Sequence, residues 1–156
     1  MKKFLLILMG FFLGFIIFMP KEHLFYKLLY ILHNKNIDIQ TQITKTPFKM
    51  KLENTQIYYL KIKTAQVKNV LIKPFIAFNE IEANDIKLNV GNFIIKNLKI
   101  VYIPFLKAKI QGKGNFGEFS GYANLKEIKI YVKHPSRRIL AFLKKDKKGY
   151  FYYAKL

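Results

Sequence analysis

Strict alternation of apolar and polar residues is the feature that most limits what this chain can become. Phe48, Met50 and Leu52 alternate with Lys49, Lys51 and Glu53, and Ile86, Leu88 and Val90 alternate with Lys87 and Asn89. Leu106, Ala108 and Ile110 alternate with Lys107, Lys109 and Gln111, and Ile128, Ile130 and Val132 with Lys129, Tyr131 and Lys133. A period of two sends successive side chains to opposite faces of a strand. Each run therefore reads as a half-buried antiparallel strand with one apolar face and one lysine-studded face. The pattern predicts eight or nine strands between Ile37 and the C-terminus.

A weak repeat accompanies it. Asn opens NTQI at Asn54, NVLI at Asn69, NDIK at Asn84 and NLKI at Asn97, and returns in NLKEI at Asn124. The first four are 15, 15 and 13 residues apart, the length of one strand plus its turn. The glycine cluster GKGNFGEFSG, Gly112 to Gly121, interrupts the alternation. Gly112, Gly114 and Gly117 have the spacing of a dinucleotide fingerprint, but no helical pattern follows them. A hairpin or bulge is the better reading.

Phe4 to Met19 forms a run of sixteen uncharged residues, preceded by Lys2 and Lys3 and closed by Pro20. A bilayer-spanning helix needs roughly 20 apolar residues. The run is thus either the core of a cleaved signal peptide or a signal anchor extended past Pro20. No small-residue cleavage site precedes Asn34, which favours the anchor. Phe4, Leu5, Leu8, Phe11, Leu13, Phe15, Ile17 and Met19 are its membrane-facing candidates. The short basic end is expected in the cytoplasm and the main domain in the periplasm of a bacterial inner membrane. Three segments result: the anchor at 1–19, an amphipathic helix at 20–36 and the β-domain at 37–156. In the second, Leu24, Phe25, Leu28, Leu29 and Leu32 line one face, suited to capping a sheet or lying along a membrane interface.

Lys and Arg outnumber Asp and Glu by 28 to 9. That balance fits an anionic neighbour such as phospholipid head groups or lipopolysaccharide phosphates, or else reflects lysine-rich codon usage. Cysteine is absent, which removes disulfides, thiolate metal sites and a cysteine nucleophile. His23, His33 and His134 have no metal-ligand partner at motif spacing, and Ser120 and Ser136 lie in no nucleophile elbow. Neither catalytic nor cofactor chemistry is expected. Nucleic-acid binding is not expected of an exported domain. After His134-Pro135, Ser136 reads as the N-cap of a short helix with Ile139, Leu140 and Leu143 inside. Lys144, Lys145, Lys147 and Lys148 would follow at its end. Arg137, Arg138, Lys144 and Lys145 are candidate ligands for lipid phosphates.

MPKEHLFYKL at the anchor's end, the N-x-x-I strand starts, the Gly112–Ile130 segment and PSRRIL together resemble the type II secretion system protein N family. They are also similar, more distantly, to AsmA-like periplasmic proteins. The resemblance implies a curved antiparallel sheet, an open groove or half-barrel, whose apolar face shelters acyl chains. The fold expected is thus mainly β, with an N-terminal transmembrane helix and one or two short amphipathic helices. Leu88, Val90, Ile100, Leu106, Ile110, Ile128 and Ile130 are its lipid-facing candidates. Two roles remain open: binding or passing lipid, or docking as a structural component of an envelope or secretion complex.

Overall fold

The computed structural model describes residues 7–8, 10–11, 14, 21–46, 49–74, 79–103 and 107–155. The helix α1 (Lys21–His33) precedes β1 (Ile37–Thr46), β2 (Lys49–Tyr59), β3 (Ile62–Pro74), β4 (Asn79–Leu88) and β5 (Phe93–Tyr102). Then come β6 (Ala108–Gly114), β7 (Gly117–Ala123), β8 (Glu127–Lys133), α2 (Arg137–Leu140), β9 (Lys144–Asp146) and β10 (Gly149–Lys155). All ten strands form one open antiparallel sheet in the order β1-β2-β3-β4-β5-β6-β7-β8-β10-β9. Consecutive strands pair throughout except β8 and β9, between which β10 lies.

One apolar face carries the core. Phe25 of α1 and Met50 and Leu52 of β2 are buried together, with Leu29, Ile43, Val70 and Ile72 packed around them. Burial of a phenylalanine ring contributes roughly 1.5–3 kcal/mol, so Phe25 is what fastens α1 to the sheet. Of the face expected on this helix, Leu28 does not join. It is exposed, as are Tyr26, Tyr30 and Ile31, because the sheet contacts only the Phe25–Leu29 side. The side chain of Leu24 lies outside the described residues.

The Asn repeat has a structural counterpart. Alternation slips by one residue in four adjacent strands, between Leu52 and Thr55, Val67 and Val70, Ala83 and Ile86, and Ile95 and Leu98. Both members of each pair stay on the apolar side: Leu52 and Thr55 are buried, and the other six share one core cluster. The slips are in line. Glu53 pairs with Asn69, Asn69 with Asn84 and Asn84 with Asn97. Asn54 and Asp85 take up the extra residue in left-handed conformation, at φ 51° and 54°. Asn and Asp enter that region more readily than other non-glycine residues. The crease ends at both flanks in a register shift, between Gln40 and Gln42 of β1 and between Ile95 and Asn97 of β5. At the first, the Thr41 and Thr55 hydroxyls are hydrogen-bonded at 2.8 Å.

Several expectations need correction. Among the described residues the strand count is ten rather than eight or nine, and Lys144–Asp146 is a strand rather than the end of a helix. The helix α2 is a single turn, its Ser136 makes no side-chain cap, and Leu140 is exposed rather than inside. Pairing of Lys144 with Phe151 and Lys145 with Tyr150 outweighs a helix of that length. Among the described residues no helix is long and apolar enough to cross a membrane. Leu8 and Phe11 are helical and exposed, while Phe4, Leu5, Leu13, Phe15, Ile17 and Met19 lie outside the described residues.

Candidate functional site

Cross-strand partners share a face, so the registers assemble the apolar surface row by row. Ile100 pairs with Ile110, Ile110 with Gly121, Gly121 with Ile130 and Ile130 with Tyr152. Beside that row, Ala123 pairs with Ile128 and Ile128 with Ala154. Leu88 packs with the Val67–Ala83–Ile86 cluster on the same side. Five of the expected lipid-facing residues therefore share one face. Val90 does not: β4 ends at Leu88, and Val90 stands 73% exposed in the turn that follows. Alternation ran on past the strand because a turn valine has no local mark that separates it from a strand valine. Leu106 lies outside the described residues.

An open apolar cavity of about 340 Å³ occupies part of this face. It is lined by Leu88, Phe93, Ile95, Phe116, Phe119, Ile130, Val132, Ile139, Phe142, Leu143 and Tyr152. Of these side chains only Tyr152 carries a polar atom. The aromatic wall is built by the glycine cluster, which forms the β6–β7 hairpin, Gly114 pairing with Gly117. A Cβ on Gly112 would stand 2.5 Å from Cζ of Phe119, so the missing side chain is the seat of that ring. Phe119 stacks on Phe116 with centroids 5.5 Å apart, and Phe116 meets Phe93 edge-on at 5.7 Å. These rings were not singled out from the sequence. Phe116 and Phe119 are three apart across a turn, which hides them from a period-two reading.

The other face is charged. Lys73 donates to Glu80 at 2.7 Å and to Glu82 at 3.3 Å, and Lys99 reaches the same two carboxylates at 2.8 and 3.2 Å. Hydrogen bonds from Lys73 and then Lys99 hold the Glu80 carboxyl down to about 2. The same bonds raise both lysines. The asparagine row continues on this side through Lys113, Glu118 and Lys133, and Lys113 bonds Glu118 at 2.8 Å. A shallow polar depression of about 540 Å³ lies along it. Farther on, the Tyr122 hydroxyl donates to Glu127 at 3.0 Å and is raised chiefly by that bond. Burial pushes Asp146 up, but the Lys148 amide and the Tyr131 hydroxyl donate to it and leave it lowered.

The four candidate anion ligands are dispersed. Arg137 and Arg138 are exposed on α2 and make no ion pair among the described residues. Lys144 and Lys145 are successive strand residues and point to opposite faces, Lys145 lying over the Tyr150 ring at 5.4 Å. Among the described residues no cluster of His, Cys, Asp or Glu could hold a metal ion. His33 pairs with Asp38 at 2.5 Å.

No family model, curated protein or solved structure matches this chain.

Proposed function

We propose that this is a membrane-anchored β-domain of the bacterial cell envelope that binds or passes lipid along the apolar face of its sheet. The observation that carries the reading is the cavity lined by ten hydrocarbon side chains and one tyrosine. An apolar concavity that the protein itself leaves open favours a hydrophobic guest. The stacked slips across β2 to β5 support the curved, groove-like sheet that the resemblance to the type II secretion protein N and AsmA-like proteins implies, since bulges are the usual device that bends a sheet. The exposed Tyr26, Leu28, Tyr30 and Ile31 of α1 support a position against a bilayer, the N-terminal run acting as inner-membrane anchor and the sheet lying in the periplasm. Phospholipid or lipopolysaccharide is the proposed guest.

A second reading has one observation in its favour. The ten-residue strand β1 is an edge of the sheet and presents a row of main-chain groups for an added strand. A component of a secretion-like envelope complex would dock there without a lipid ligand.

Native mass spectrometry of the full chain in mild detergent, with lipid identification, separates the two. Lipid in defined stoichiometry supports the first reading. A folded, lipid-free protein with a stoichiometric protein partner supports the second and ends the first.

A further inference from the structure

The end of the sheet where the apolar cavity lies carries a second pattern. Leu88 is the last residue of β4, Phe93 the first of β5, and Phe116 sits in the β6–β7 turn. The connections at this end are 34–36, 60–61, 89–92, 115–116, 134–143 and 147–148. They contain six Lys or Arg residues, at 35, 61, 137, 138, 147 and 148, and no Asp or Glu. Beside these cations stand bare apolar side chains: Leu60 at 56% exposure, Ile62 at 69%, Val90 at 73% and Phe142 at 70%. Large apolar residues at turn tips lose free energy in water unless something covers them. The carboxylates beside them, Asp38 near Lys61 and Asp146 next to Lys147, are outnumbered by the cations, and that excess of positive charge favours a negatively charged cover.

We infer that this end is a docking surface for an anionic lipid bilayer. The apolar tips enter the head-group boundary while Lys61, Arg137 and Arg138 meet the phosphates. Phe142 belongs to both features, lining the cavity and standing exposed at this end. Docking would thus bring the mouth of the cavity to the bilayer, giving the proposed lipid handling its route of entry. The inference rests on that reading for its purpose and on these surface residues for its location.

The test uses the full chain held in nanodiscs of phosphatidylcholine, which occupy the N-terminal apolar run. Co-flotation is measured with vesicles of phosphatidylcholine alone or with added phosphatidylglycerol. Capture is expected on the anionic vesicles and is expected to fall as salt rises. Arg137→Ala with Arg138→Ala should weaken it about fivefold per arginine, from roughly 1 kcal/mol per cation at an anionic surface. Leu60→Ser with Val90→Ser should weaken it without changing lipid retained in the cavity, which neither residue lines. Equal capture of neutral vesicles overturns the inference, as does undiminished capture by both variants. So does capture lost instead in Leu125→Ser, at the opposite end, or binding of a DNA oligomer that matches the vesicles and ignores Leu60 and Val90. Loss of cavity lipid with docking intact would count against the lipid-handling reading alone.

Discussion

Gly112 of β6 stands opposite Phe119 of β7, and the phenylalanine ring occupies the volume that any side chain at 112 would need. The Asn97 carbonyl oxygen lies equally close, 2.5 Å from the position of a Cβ. A ring can turn aside, but a strand carbonyl cannot move without loosening its ladder. Gly112→Ala should therefore destabilise the domain by about 1–3 kcal/mol, the usual cost of overpacking. Chemical denaturation would show it, and in a double-mutant cycle the cost of Gly112→Ala should be smaller, but not zero, in a Phe119→Ala background.

The Glu80 carboxyl gives a pH signature. Its pKa is depressed from the ordinary 4.5 to about 2. A depressed folded-state value means that the stabilisation is full above the unfolded pKa and is lost as pH falls through the folded one. The difference in Tm between the wild-type chain and Glu80→Gln should hold steady above pH 5 and shrink between about 4.5 and 2. A difference that persists at pH 2 would mean that the charge on Glu80 is not what matters.

The crease predicts an unusual tolerance. Asp85 has φ 54°, a conformation that costs a β-branched residue about 1–3 kcal/mol and glycine nothing. Asp85→Gly should leave the denaturation midpoint near that of wild type, whereas Asp85→Val should lower it clearly. Equal midpoints for the two would show that the left-handed turn is not maintained in solution.

Lipid retention should depend on side-chain placement rather than on hydrophobicity alone. Ile130→Asp puts a charge into the cavity wall and should abolish co-purified lipid if the sheet face is the binding surface. Val90→Asp, equally non-conservative but in a turn, should leave it unchanged. The readout is lipid mass per folded chain, with circular dichroism to confirm folding.

Much of this architecture was legible in the alternation of lysine with isoleucine, leucine and valine, because a sheet open to water on one face writes itself into sequence every second residue. The crease was legible only in outline. Asn54, Asn69, Asn84 and Asn97 recur at strand-plus-turn intervals, but their cross-strand alignment needs the register. The cavity was less visible still. Leu88 and Ile130 were marked by alternation, but Phe93, Phe116 and Phe119 converge through a hairpin and two pairing steps. Lys144, Lys145, Lys147 and Lys148 are a poor guide, since a cluster of charged residues without apolar alternation cannot distinguish a helix end from a short strand.

The strand order also says how this domain can be made. From β1 to β8 each strand lies beside the one synthesised just before it, so the sheet can lengthen at a single growing margin as the chain emerges. Such contacts are short in sequence and close cheaply. The exception is β10, which must slip between β8 and β9. Until it does, the β8 margin stays open, and completion of the sheet waits for Gly149–Lys155.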